Sequence, residues 1–495
     1  MAIHRLLDQG AELHPHRTAI LSREGTATYG ELRILSRKYA AYFKKRGVRP
    51  GERIVALLPN GIPAAAVILA SSVLGAPVAV LHEDSRAPLI EHVLRDAEPR
   101  LFVTEKNRLA GELPEEIELA WIEDIGEEAI APADMDALEG TGSDSDPACL
   151  IYTSGSTGMP KAVVPTRGGM MFAAASIQEV LRYREDDVIG LFLPLSFDYG
   201  LYQLILSLQA GATLAIGSPS DVGPALLNRL IEWKVTGLPA MPAVFFALNQ
   251  LARRHPAALP PLRFATNTGA KLPDAYLDEF RMHYPECGVY LMYGLTECKR
   301  VSILKPSELP LKPGSVGRPL PGTECFVVDG EGRELPPGEI GEFVIRGPHL
   351  ASGYWRDEEL TGKAFRPWRF GPEKVLFTGD YGSVDEEGFL YVHGRRDDVF
   401  KLRGHRVSRA EIEEAVLRIP GVGQAVVLVP VGEEGAALLV TTERPLGEVR
   451  AELRRTFEPH KIPERIERIS SVPLNGNGKY DLAKLRRLLE EGGTA

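Results

Sequence analysis

Cysteine is scarce in this chain: Cys149, Cys287, Cys298 and Cys325 are the four in 495 residues. None stands in a CxxC or zinc-ligand spacing, and four over this length make a poor disulfide framework. A reducing, cytoplasmic setting is the expectation. An excess of positive charge is also missing, since 57 Lys and Arg face 67 Asp and Glu for a net charge of −10. That balance gives no footprint for nucleic acid or an anionic membrane. The N-terminal "MAIHRLLDQGAELHP" has no apolar core of signal-peptide length. Ile54 to Leu81 carries no charge, but "PNG" and "GAP" punctuate it. It reads as strand, turn, buried helix, turn and strand, and not as a membrane span.

What remains is an ordinary globular composition, 44% hydrophobic and 25% charged. The length is too great for one core, and roughly three units are expected. Short β-branched runs such as "RIVALL", "PVAVLH" and "ATLAIG" alternate with helical patterns such as "YGELRILSRKYAAYFKKRG". This alternation predicts an α/β fold with layered, largely parallel sheets. From about 312 the texture becomes dense in Gly and Pro with short strands, which predicts a β-rich subdomain over about 312–392. After the charged stretch "GRRDDVFKLRGHR" comes a helix–strand–strand–helix–strand pattern of a small α+β domain. The expected division is a large N-terminal domain, 1–396, and a small C-terminal domain, 397–495.

The stretch "YTSGSTGMPK" (152–161) follows the apolar run "ACLI" and packs hydroxyls, glycines and a lysine together. Inward N–H groups, hydroxyl donors and one ammonium suit a polyphosphate. It is not a Walker A loop, because GxxxxGK[ST] cannot be laid over it. Five further stretches stand out: "NTGAKL" (267–272), "YGLTE" (293–297), "FTGD" (377–380), "GRRDDVFKLRGHRVSRAEIE" (394–413) and "NGNGKYD" (475–481).

In this order and spacing the six resemble the AMP-forming adenylating superfamily, which contains acyl-CoA synthetases, nonribosomal peptide adenylation domains and luciferase. The resemblance runs along the whole chain. It implies a stand-alone ligase that condenses a small carboxylic acid with ATP, giving an acyl-adenylate and pyrophosphate. CoA or the phosphopantetheine of a separate carrier protein then displaces AMP. The variants left open are an amino-acid adenylating enzyme that loads a carrier protein, and a non-catalytic nucleotide-binding module of the same fold. A monomer or homodimer is expected, with no nucleic acid partner.

The resemblance implies a role for each motif. Thr153, Ser154, Gly155, Ser156, Thr157, Gly158 and Lys161 would cradle the β- and γ-phosphates. Thr296 would contact phosphate, and Glu297 with Thr157 would hold Mg²⁺, a hard cation that often keeps several waters. Gly269, Ala270 and Tyr293 would lie against adenine. Asp380 would accept the ribose hydroxyls, and Arg395 would contribute to ribose or phosphate binding. Lys479 would place an ammonium between two approaching anions, the charge arrangement this displacement needs. Asp397 would be the hinge on which the small domain turns, bringing Gly404 to the thiol tunnel and Arg406 to phosphate. Read without the resemblance, "YGLTE" also fits a strand-to-helix turn, "RRDD" a solvated charge run and "NGNGKYD" a polar hairpin.

The acid pocket would be lined by Phe197, Asp198, Tyr202, Thr268, Met292, Gly294 and Arg300. Adenylation domains for α-amino acids carry an Asp at the place of Asp198, where it pairs with the substrate ammonium. The alternative is that Asp198 caps the helix that follows. Family members often have small or apolar residues after the glutamate, whereas this chain has Cys298, Lys299 and Arg300. These two cations either neutralise Asp198 or bind a second carboxylate on the substrate.

Overall fold

The protein is described by a computed structural model that covers residues 2–108, 117–128, 130–136, 138, 142–153, 159–218, 221, 223–255, 259–368, 373–395, 399–402, 405–429, 435–458 and 461–490. The fold is α/β, with a large N-terminal part built on sheets and a small C-terminal part. A nine-stranded sheet runs in the order Arg318–Pro319, Ser302–Leu304, Gly288–Tyr293, Phe264–Asn267, Gly237–Ala240, Val188–Leu191, Thr213–Ile216, Thr18–Ser22, Gly25–Thr28. The strands from Gly288–Tyr293 to Thr18–Ser22 are parallel, and the flanking pairs are antiparallel. The sheet is therefore mixed at its edges and parallel at its centre, where both faces are covered.

A second, wholly parallel sheet joins Val78–Leu81, Ile54–Leu57, Leu101–Thr104 and Glu118–Trp121. The uncharged run resolves as expected, with helix Ile62–Leu74 between two of these strands. Gly75 ends that helix at φ 70°, a left-handed position that favours glycine. Thirteen residues span about 20 Å, short of a hydrocarbon core. No described helix is long and apolar enough to cross a membrane.

The Gly- and Pro-dense region forms an antiparallel five-stranded sheet from Glu324–Val328, Gly341–Arg346, Lys374–Val384, Phe365–Pro367 and Leu390–Arg395. The C-terminal part has a hairpin, Val399–Leu402 with His405–Ser408, and the helix Arg409–Leu417. A three-stranded sheet follows, Val422–Leu428, Ala437–Thr442 and Arg465–Arg468, flanked by helices Leu446–Thr456 and Leu482–Glu490.

The two parts meet along helix Asp274–His283. Asp274 N donates to Glu414 Oε1 at 3.1 Å, Tyr276 Oη donates to Gly423 O at 2.7 Å, and Arg418 pairs with Asp274 at 3.3 Å. Polar contacts of this kind are ones a domain can leave and remake.

Candidate active site

Four neighbouring parallel strands end on one side of the central sheet, at Leu191, Ala240, Asn267 and Tyr293. Their continuations carry Phe197 and Asp198, Met241, Thr268 and Gly269, and Gly294 to Arg300. Open α/β sheets bind ligands at this edge, because loops there converge without competing for sheet hydrogen bonds.

Beside it, Ile151–Thr153 pairs with Lys161–Val163 and sets Thr153 opposite Lys161. Thr153 Oγ1 donates to Lys161 O at 3.5 Å. The hairpin thus fixes the two ends of the hydroxyl-rich loop. Ser154, Gly155, Ser156, Thr157 and Gly158 lie outside the described residues, as do Asp397, Gly404 and the proposed 396/397 boundary; so does the side chain of Arg406.

The antiparallel register places Asp380 opposite Arg395, and Arg395 Nε donates to Asp380 Oδ1 at 3.2 Å. The other oxygen of Asp380 accepts from Tyr293 Oη at 2.8 Å. Burial and the neighbouring carboxylate raise the Tyr293 phenol well above its usual range, so it stays a donor. Arg395 therefore pairs with Asp380 across the strand pair. Glu297 accepts from Tyr354 Oη at 2.7 Å, and Thr296 beside it is half-buried. No described group of three or more His, Cys, Asp or Glu residues forms a metal cluster. A half-buried carboxylate oriented by a tyrosine fits a Mg²⁺ that keeps water and phosphate as its other ligands.

The segment after Tyr293 is folded back tightly. A side chain at Gly294 would lie 2.2 Å from the Lys299 carbonyl oxygen, and Lys299 itself takes φ 57°. This turn leaves Glu297 half-exposed and sends Lys299 and Arg300 inward, where they are 6% and 2% exposed. Lys299 Nζ stands 3.5 Å from Asp198 Oδ2 and 4.5 Å from the centre of the Tyr202 ring. Burial lowers Lys299 to about 7, with Asp198 opposing the shift. Arg300 Nη1 donates to Thr268 Oγ1, while Arg300 Nε is buried and has no partner among the described residues. Met292 is buried nearby.

Asp198 does not cap the helix. The helix is Asp198–Ala210 and its N-cap is Phe197, with no side-chain cap bond. The chain turns helical one residue earlier than the capping alternative requires, so the carboxylate is free for Lys299.

The terminal hairpin lies at the same place. Lys479 Nζ is 5.7 Å from the Phe197 ring centre, and a side-chain carbon at Gly269 would lie 3.5 Å from Lys479 Cε. Burial lowers the lysine below its usual range; Asp198 and Asp380 oppose this and Arg395 adds to it. The structure thus gathers Lys479, Asp380, Arg395, Tyr293, Gly269, Phe197 and Asp198, and Ala270 is exposed beside them.

Sequence reasoning missed Tyr354, Met241 and His82, which reach the site through packing between distant segments and carry no local motif, and Tyr199, next to Asp198 in sequence, whose ring centre lies 5.6 Å from Lys299 Nζ and 5.7 Å from the Arg300 guanidinium. A small cavity of about 30 Å³, room for about one water, is lined by Ser72, Cys149, Arg167 and Leu201, and its lining includes neither Lys479 nor Asp380.

Residues 7–355 match the family model described as AMP-binding enzyme, and residues 411–479 match its C-terminal domain. The chain belongs to the AMP-binding enzyme family. Delta-poly-L-ornithine synthetase of Acinetobacter baumannii is 31% identical over 96% of this chain, which spans 36% of that relative's length. Among solved structures, VinN in complex with L-aspartate is 36% identical, with a TM-score of 0.71 over 80% of this chain and 98% of that one. O-succinylbenzoate coenzyme A synthetase from Bacillus subtilis, in complex with ATP and magnesium ion, is 27% identical, with a TM-score of 0.82 over 97% of this chain and 99% of that one. As an AMP-binding enzyme, the chain is an adenylating protein by family.

Proposed function

We propose that this chain is an ATP-dependent ligase that activates a small amino dicarboxylic acid of aspartate's size and passes it to a thiol. The observation that carries the substrate class is the pocket floor, where Asp198, Lys299 and Arg300 are all buried beside Thr268. With Lys479 the floor holds three cations against one carboxylate. Burial lowers Lys299 to about 7, and with that amine neutral a substrate with two carboxylates and one ammonium meets the remaining groups with one partner each: Lys479 for the reacting carboxylate, Arg300 and Thr268 for the second, and Asp198 for the ammonium. A buried guanidinium with an idle N–H is expensive unless a ligand supplies the acceptor. An aliphatic acid would leave it so. VinN's complex with L-aspartate supports the same class.

In the first step a carboxylate oxygen of the substrate attacks the α-phosphorus of ATP, and the bond to the pyrophosphate oxygen breaks. Lys479, which stands beside Phe197 and Gly269, would neutralise the meeting anions, Asp380 would hold the ribose, and Thr153, Lys161 and the loop between them would take the phosphates. Glu297 would hold Mg²⁺, which supplies charge neutralisation to the phosphates. In the second step a thiolate attacks the acyl carbon, the acyl–oxygen bond breaks, and AMP leaves with that oxygen. The acceptor is a carrier-protein phosphopantetheine or CoA. The small domain turns between the steps about Asp397, withdrawing Lys479 and presenting Gly404 and Arg406.

A second reading has its own observation: Asp198 is already paired with Lys299, so a dicarboxylic acid without an amine would also balance the pocket. ATP–pyrophosphate exchange separates the readings. Exchange with aspartate or a homologue, above succinate, leucine and fatty acids, is the expected result. Preference for succinate would support the second reading, and preference for leucine or a fatty acid would contradict both.

A further inference from the structure

We propose that His82 positions Lys479, its imidazole being the seat on which the Asn475–Lys479 turn rests when the small domain is closed. The turn is a rigid unit. Asn475 N donates to Lys479 O at 2.8 Å, and Asn475 Oδ1 accepts from the backbone N of Asn477 at 3.0 Å and of Lys479 at 3.1 Å. Where Lys479 points is therefore decided by where the turn comes to rest, and two glycines touch the large domain. A side chain at Gly478 would meet Met241 Cγ at 3.3 Å, and one at Gly476 would meet His82 Cδ2 and Nε2 at 3.2 Å. Gly478 also needs its φ of 73°, so its glycine has a conformational reason. Gly476 is not at a positive φ, and closeness to His82 is the reason left.

His82 is built for the role. It follows strand Val78–Leu81, which runs parallel to the segment at Cys149 through the bridge Val78 to Cys149. Its Nδ1 accepts from Asp84 N at 3.1 Å, which orients the ring and places the proton on Nε2. Nε2 is buried against the turn and has no partner among the described residues. When the turn lifts, water reaches that N–H, so the seat guides the lysine without locking the domain shut. Met241 and His82 come from two different sheets, and between them the turn can settle in one place.

The proposal rests on the reading of Lys479 as the adenylation lysine. The test uses the full chain with aspartate, following ATP–pyrophosphate exchange, and separately thioester formation from supplied aspartyl-adenylate with pantetheine. Gly476→Val should lower exchange about tenfold or more and leave the second reaction within about twofold, because the lysine is absent from that step. His82→Ala should lower exchange less. In the double variant the smaller residue makes room, and exchange should rise above that of Gly476→Val alone, a non-additivity expected of touching residues. If the valine variant melts early, Gly476→Ala is measured in its place. Equal losses in both reactions, or no recovery in the double variant, would overturn the seat. Loss of exchange in Lys479→Ala with no effect at 476 or 82 sinks only the seat; full exchange in Lys479→Ala sinks the underlying reading.

Discussion

Lys299 Nζ stands 3.5 Å from Asp198 Oδ2, both side chains nearly fully buried. The pair joins a helix start to a turn about a hundred residues later, and neither charge has bulk water to fall back on. Removing one partner leaves the other buried and unpaired, which costs about 3–5 kcal/mol. Lys299→Met should therefore lower the thermal midpoint clearly. The double variant Lys299→Met with Asp198→Asn should recover most of it. Melting curves of the two singles and the double check this, and additive losses would argue against a coupled pair.

Arg300 should decide which acid is accepted. Arg300→Met removes the charged partner of the second carboxylate, an interaction worth about 1.5–3 kcal/mol. The KM for aspartate should rise ten- to a hundredfold in pyrophosphate exchange, while discrimination against uncharged amino acids narrows. An unchanged KM would place the second carboxylate elsewhere.

Asp380 and Tyr293 make a graded pair on the nucleotide side. Asp380→Asn keeps the shape but gives up the charged acceptor, and the KM for ATP should rise at least tenfold by the strength of charge-assisted bonds. Tyr293→Phe removes one orienting hydrogen bond, and the rise should be several-fold, at about 1 kcal/mol. Equal effects would mean that the tyrosine hydroxyl does more than orient Asp380.

Glu297 and Tyr354 should separate in their metal dependence. Glu297→Gln should raise the Mg²⁺ concentration needed for half-maximal exchange by at least tenfold. Tyr354→Phe should move it by a few-fold only, because it orients the carboxylate without replacing it. A Glu297→Gln enzyme with unaltered Mg²⁺ dependence would remove the residue from the metal site.

Much of the site was legible because its parts are short and chemically loaded. Glu297, Asp380 and Lys479 each sit within a few residues of a glycine at a turn, Lys161 closes a stretch dense in glycine and hydroxyls, and their order along the chain carried the family resemblance. The fold followed from alternation, down to the uncharged run that became strand, helix and strand. The partners were not legible. Tyr354 reaches Glu297 across 57 residues of chain, and His82 meets Gly476 across most of the protein. Such contacts depend on how sheets pack, and no local pattern encodes them. Asp198 was balanced between capping and pairing because the two differ by a single residue in where the helix begins.

The ammonium carried in by the terminal hairpin is the centre of the account, and Lys479→Ala tests it most directly. ATP–pyrophosphate exchange should fall by at least about a hundredfold, the scale of losing a charge that stabilises the transition state. Thioester formation from supplied adenylate should stay within about threefold of the unmodified enzyme, since that step needs no cation there. Exchange that persists, or two half-reactions that fall together, would contradict it.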